Sequence, residues 1–196
     1  MSNRFHDVPG QRSNRYLLMR HGHSQANEAH LIISTPARGL GEFGLSKQGE
    51  AQLDALLADW RWPVPTRILH SDFLRTTETA ERVAIHFGLE RQPEPRLRER
   101  NFGTLEGLPD SHYPVVWAHD ARDPEHGEHE VESVASVAAR MQDVIATLER
   151  TLRQETVLLV SHGDPLQIML TALKGRPLSE HRAQVALLPA SITMLG

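Results

Sequence analysis

The chain has 196 residues, of which 39% are hydrophobic and 23% charged, a size and balance that fit one soluble domain and exclude a disordered or fibrous chain. It has no cysteine, which rules out disulfides, thiolate metal sites and a cysteine nucleophile. The formal net charge of -4 gives no general attraction to nucleic acid or acidic membranes, so any bound anion must be held by local groups.

Residues 1–14 are polar and form an expected flexible N-terminal segment ahead of a single domain over 15–196. They lack the apolar run of a signal peptide, and no later stretch is apolar enough to cross a bilayer, so the expected address is cytoplasmic. RYLLM (15–19) is short and aliphatic, as a buried parallel strand is. LIISTPARGLGEFG (31–44), with Gly39, Gly41 and Gly44, is expected to be a mobile loop near an entrance. Leu53, Leu56, Leu57 and Trp60 then follow helical spacing, and DWRWPVP (59–65) offers an aromatic patch, either exposed or packed on its own domain. RILH (67–70) is a second strand, and Ala80, Val83, Ala84 and Phe87 mark a second amphipathic helix. A longer helix carries Val134, Val137, Ala138, Met141, Ile145, Leu148 and Leu152 on one side. TVLLV (156–160) is a third strand, Leu166, Met169, Leu170 and Leu173 a fourth helix, and SITML (191–195) the last strand. Strands alternating with helices predict an α/β three-layer sandwich, with a mainly parallel central sheet and helices on both faces.

Such sheets bind ligands beyond the carboxyl ends of their strands, so the residues that follow each strand matter most. They are Arg20-His21-Gly22-His23, then Ser71-Asp72 with Arg75, then Ser161-His162-Gly163-Asp164. The third junction predicts Asp164 as an N-cap, Pro165 at the first helical position, and an end at Gly175 and Pro177. Backbone N–H groups at Gly163 would face the rim, where a helix start attracts an anion. If Ser71 or Asp72 caps the second helix, Arg75 sits in its first turn, where the dipole disfavours a cation unless an anion is bound nearby. His21 and His23 also have His-x-His metal-ligand spacing, which keeps a metal-dependent hydrolase open as an alternative. Gln25 and Ala26 stand where further ligands would be needed. His119, His126 and His129 form a second candidate metal cluster, within a stretch more simply read as a solvated loop over the substrate.

The segments RHGHSQAN, SDFLRTTETA, LRERNFGTLEG and VSHG, in this order and at these separations, resemble the histidine phosphatase superfamily, which includes the cofactor-dependent phosphoglycerate mutases. The resemblance runs from the first strand to SITML and implies a phosphoglycerate mutase-like fold. It implies that His21 takes the phosphoryl group, that Arg20, Arg75 and His162 surround its oxygens, and that Asn27 and Ser24 add hydrogen bonds. Glu99 matches the proton donor of that family, while Gly103, Glu106 and Gly107 match structural positions after it. Phosphoryl transfer depends on in-line positioning and charge neutralisation, which two arginines supply without metal or organic cofactor. Imidazole attacks through an unprotonated nitrogen, so its other nitrogen should donate to a fixed acceptor such as a backbone carbonyl.

The expected activity is therefore hydrolysis of small phosphorylated molecules, with no nucleic acid or membrane partner. A mutase is the main alternative, and a catalytically silent phosphate-binding module a more distant one. Mutases of the family carry extra Arg and Lys in an insertion after the acid, but between Thr104 and Ala139 this chain has only Arg122. His23 also fills a slot where the mutases commonly have Glu. The family's covering C-terminal tail is not expected, because Gly196 closely follows the last strand. The sequence leaves the oligomeric state open, with a homodimer as one option.

Overall fold

Strand β1 (Arg15–Arg20) is an interior strand of the sheet in the computed structural model of the protein, which describes residues 12–195. It pairs in parallel with β4 (Thr156–Ser161), which pairs in parallel with β2 (Arg67–His70). Short β3 (Arg91–Pro93) extends the sheet beside β2, and β5 (Ile192–Leu195) closes the other edge antiparallel to β1, giving the order β3-β2-β4-β1-β5. Three strands thus lie where the sequence predicts them. The fourth predicted strand is the antiparallel edge. β3 carries no aliphatic run, which is why it was not legible.

Alternation within the buried strands feeds two cores. Tyr16, Leu18, Val157 and Leu159 point to one face and pack on α6 (Val134–Thr151) and α7 (Gly163–Leu173). Leu17, Met19, Leu158 and Val160 point to the other and pack on α3 (Lys47–Ala58) and α4 (Leu74–Phe87). The architecture is the expected three-layer α/β sandwich. Because β4 is covered on both faces, all six of its residues are buried, which explains its uninterrupted apolar sequence. Ser46 and Ser133 cap α3 and α6 by accepting from the N–H groups of Gly49 and Ser136. Gly88, with φ of 65°, ends α4 in the left-handed conformation that glycine adopts without strain.

Several expectations need correction. Trp60 lies beyond α3, which ends at Ala58, and its ring packs edge-on against Trp62 and Phe87, so this aromatic cluster packs on its own domain. Leu152 is the C-cap of α6 rather than part of it. Residues 31–44 do not form an open loop. They carry short α2 (Pro36–Gly39), and Ile32, Ile33 and Ser34 are buried. Gly39 allows a close approach there, since a Cβ would stand 2.4 Å from the Phe73 ring. Of the expected flexible segment 1–14, residues 1–11 lie outside the described residues. Its described end is tied to α6, with Ser13 N and Asn14 Nδ2 donating to the Glu149 carboxylate at 2.8 and 2.9 Å.

A smaller cluster of Ile32, Phe102, Leu105, Val116 and Val131 lies beneath α5 (Tyr113–Asp120), a helix the sequence did not reveal. Beside it, fully buried Arg100 donates to both carboxylate oxygens of fully buried Asp120 at 2.7 and 2.8 Å. Arg98 pairs likewise with Asp72, and Arg96 with Glu94 and Asp143. The charged stretch PEPRLRER (93–100) thus makes a set of specific ion pairs.

The start of α3 rests directly on the segment after β1. Gly49 is required there, because a Cβ would fall 2.0 Å from the His23 carbonyl oxygen. Gly49→Ala is expected to destabilise the fold by about 2 kcal/mol through overpacking, read as a lower urea midpoint at unchanged slope.

Candidate active site

The sheet register brings three strand ends together. Arg20 is opposite Ser161 and His70 opposite Val160, so His21, Ser71 and His162 emerge side by side. His21 N donates to the Ser161 carbonyl at 3.0 Å, and Ser71 N to that of Val160 at 2.9 Å. The rings of His21 and His162 meet edge to face with centroids 5.2 Å apart. Both imidazoles are buried.

The neighbours of His21 fix its protonation pattern. Its Nδ1 is 2.7 Å from the Gly22 carbonyl, which only accepts, so Nδ1 carries the hydrogen. Its Nε2 receives Arg75 Nε at 3.2 Å, and a guanidinium only donates, so Nε2 carries the lone pair. Burial presses the His21 pKa well below its ordinary value, and the charges of Arg75 and Arg20 press it further. His162 is lowered in the same way, by burial and then by Arg75, and its Nε2 pairs with Ser71 Oγ at 2.9 Å.

Arg75 occupies the first turn of α4 with its side chain 4% exposed, a costly position for a cation at a helix start. Its Nη2 donates to the Ile33 carbonyl at 2.9 Å and lies 3.8 Å from Glu99 Oε2. Arg20 Nη1 donates to the Leu187 carbonyl at 2.6 Å. The remaining donors are the telling ones. Arg20 Nε, Arg75 Nη1 and His162 Nδ1 are buried without a hydrogen-bond partner. Orphan donors converging from three elements make a preformed cup for an anion, since each would otherwise cost about 1–3 kcal/mol.

Glu99 completes the ring of groups. Its Oε1 accepts from Arg100 N at 2.9 Å, and its Oε2 lies 3.7 Å from His162 Nδ1. Burial raises its pKa to about 7 against the opposing pull of Arg75, with Asp164 adding to the rise. A carboxyl tuned in this way can give and take a proton near neutral pH.

The other predicted residues divide. Asn27 and Gly163 line the same cavity of about 230 Å³ as Arg20 and Glu99. Gly163 opens α7, and a Cβ there would stand 3.3 Å from Arg20 Nε, so glycine admits the arginine. Ser24 is the N-cap of short α1 (Gln25–Glu28). Its hydroxyl accepts from Asn27 N and donates to Asn27 Oδ1, which also accepts from Ser24 N. Asp164 is not the N-cap of α7; His162 is. The Asp164 carboxylate faces inward toward Arg100, Arg182 and His181, and although burial pushes its pKa up, these partners outweigh burial and leave it at about 2. Phe73, not Ser71 or Asp72, holds the N-cap position of α4. Glu106 accepts from Ser34 N, Ser34 Oγ and Thr35 Oγ1, the structural role expected of it.

His21 and His23 do not converge on one ligand point, because His23 Nδ1 pairs with Ser46 Oγ. His126 pairs with Asp120, and among the described residues no group of three His, Cys, Asp or Glu is arranged to hold a metal. Sequence reasoning missed Tyr113, Trp117 and Arg182 in the cavity wall, which belong to no motif and sit in segments without a legible period. A wider groove of about 540 Å³ between α3 and α4 is lined by Glu50, Asp54, Glu78 and Glu81 and holds none of the strand-end residues.

The profile of the histidine phosphatase superfamily (branch 1) matches residues 16–196. The chain belongs to that superfamily. It is thereby an enzyme of phosphomonoesters with a phosphoglycerate mutase-like fold. The probable phosphoglycerate mutase GpmB of Yersinia enterocolitica is 33% identical over 165 residues, covering 82% of this chain and 74% of the relative. The mycobacterial glucosyl-3-phosphoglycerate phosphatase superposes with a TM-score of 0.76 at 27% identity, over 92% of this chain and 88% of that one. Phosphoserine phosphatase from Entamoeba histolytica shares the fold, with a TM-score of 0.77 at 19% identity over 92% of this chain and 89% of that one.

Inorganic phosphate is expected to raise the melting temperature of this histidine phosphatase, and Arg75→Met or Arg20→Met to weaken that binding at least about tenfold, as loss of a charge-assisted contact implies. Isothermal titration with phosphate measures it.

Proposed function

We propose that the protein hydrolyses small phosphomonoesters in two steps through a phosphohistidine formed on His21 Nε2. The observation that carries this reading is the oriented ring: Nδ1 is held by the Gly22 carbonyl while Nε2 faces a cup of donors that lack partners. Attack requires Arg75 Nε to move from the imidazole lone pair to a phosphoryl oxygen. Arg20 and Arg75 then neutralise the charge on the oxygens and neutral His162 donates a hydrogen bond to one of them, with Asn27 and the N–H of Gly163 beside them. The Nε2–P bond forms as the bond from phosphorus to the leaving oxygen breaks, and Glu99 gives that oxygen its proton. In the second step water attacks phosphorus, Glu99 takes a proton from it, and inorganic phosphate leaves as the Nε2–P bond breaks.

The name of the Yersinia relative favours a mutase as the second reading. Against it, Arg122, the sole Arg or Lys between Thr104 and Ala139, is exposed at the turn after α5. Discharge of the phosphoenzyme to water rather than to glycerate separates the two. The composition free of cysteine suits a cytoplasmic enzyme. Among the described residues no helix is long and apolar enough to cross a membrane.

His21→Ala is expected to abolish both release of phosphate from 4-nitrophenyl phosphate and acid-labile labelling of the protein. Normal rates in that variant would show the nucleophile to be another group.

Glu99→Gln is expected to slow alkyl phosphates by about 100-fold or more, and 4-nitrophenyl phosphate much less, because nitrophenolate leaves without a proton. Glu99 acts as an acid only when protonated, and its pKa is raised to about 7. With alkyl phosphates, kcat/KM should therefore fall as pH rises through 7, and a pH series on the Glu99→Gln variant should lack that limb.

A further inference from the structure

We propose that Arg182 reads a carboxylate on the leaving group of the substrate, from a subsite it forms with Trp117 in the cavity that Arg20, Asn27 and Glu99 also line. This deepens the phosphatase reading and rests on it. Arg182 and Trp117 line the same cavity as Arg20 and Glu99, yet the phosphoryl oxygens already have Arg20, Arg75 and His162 to receive them. Arg182 is a further cation without an assigned task. Its side chain is 28% exposed against 4% for Arg75, so it stands nearer the mouth, where the organic part of a substrate would extend.

Arg182 is also held in a fixed pose. Its Cζ lies 3.8 Å from the centroid of the Trp117 ring, and Trp117 stacks in turn on Tyr113, with planes 9° apart. Both hydrogen bonds it makes among the described residues run from Nη1, to Gln167 Oε1 and to Asp164 Oδ1. Nε and Nη2 therefore keep donors for a ligand at little entropic cost. The Trp117 indole N–H is buried without a partner. Arg182 and Arg20 repel each other, since the charge of Arg182 contributes to lowering the pKa of Arg20 behind the larger effect of burial. A singly charged group between them relieves that repulsion. Asp164 already offsets part of the charge of Arg182, so one carboxylate suits the subsite better than a second, doubly charged phosphoryl group.

The test compares phosphate release from 3-phosphoglycerate and from glycerol 3-phosphate, which differ only in carboxylate against hydroxymethyl. The wild-type enzyme is expected to favour 3-phosphoglycerate at least tenfold in kcat/KM, and Arg182→Gln to bring the ratio to within about twofold of one. Trp117→Phe keeps the ring face but removes the N–H, and should cut the ratio at least threefold, which provides a second reading should Arg182→Gln fail to fold. A wild-type ratio near one, or a ratio that survives these substitutions, overturns the proposal. Turnover of 4-nitrophenyl phosphate and its loss in His21→Ala report on the phosphatase reading alone, so the two failures are distinguishable.

Discussion

Two guanidinium groups buried against a neutral imidazole set the terms for the rest of the molecule. Arg20 and Arg75 cannot discharge themselves to escape burial, because a guanidinium stays charged at any working pH even where burial lowers its pKa. The fold must therefore bring oxygen atoms to them. It does so with backbone carbonyls from two connecting segments, Ile33 for Arg75 and Leu187 for Arg20, and with the Glu99 carboxylate. Segments that look like surface connections in the sequence are thus fixed to the rim of the sheet. The donors still left over are arranged around the tip of His21, and this incompleteness is what makes the cup selective for an anion.

The same burial produces opposite protonation states in neighbouring groups. Removal from water disfavours charge, so it lowers the pKa of His21 and His162 and raises that of Glu99. Near neutral pH the imidazole is then unprotonated and the carboxyl can hold a proton, the states that the proposed roles of nucleophile and acid require. The arginines push both values downward. For His21 this reinforces burial, and for Glu99 it opposes burial and holds the pKa near 7 instead of higher. One desolvated, positively charged pocket thus tunes both groups toward the roles proposed for them.

What was legible in the sequence follows from the range of the forces involved. β1, β2 and β4 are covered on both faces, which forces continuous apolar runs, and the helices bear stripes because one side faces the sheet. The strand-end residues followed from topology, since a parallel sheet collects its carboxyl ends at one rim. Glu99 is different: nothing local separates it from Glu94, and only the resemblance to the family pointed to it. The caps predicted at Asp164 and Asp72 failed because long-range partners, Arg100 with Arg182 and Arg98, claimed those carboxylates. α5 was missed because its eight residues show no apolar stripe, and the partner that anchors it, Arg100, lies 20 residues from Asp120 in the chain.

That anchor bears on specificity as well as on stability. Asp120 ends α5, where the helix dipole disfavours a carboxylate, while Asp164 lies in the first turn of α7, where the dipole welcomes one. Arg100 reaches both, at 2.7 and 3.4 Å, and His181 lies 3.7 and 3.5 Å from the same two groups. The helix that supplies Tyr113 and Trp117 is in this way locked to the helix whose start lines the same cavity. A buried pair of this kind adds little net stability compared with apolar packing, but it permits few alternative geometries. Arg182 draws on the same network through Asp164, so the wall that carries Arg182 and Trp117 and the rim at the start of α7 are set by one shared set of charges. The distance between them is then a property of the fold, and under the proposed reading it limits how far from its ester oxygen a substrate carries its carboxylate.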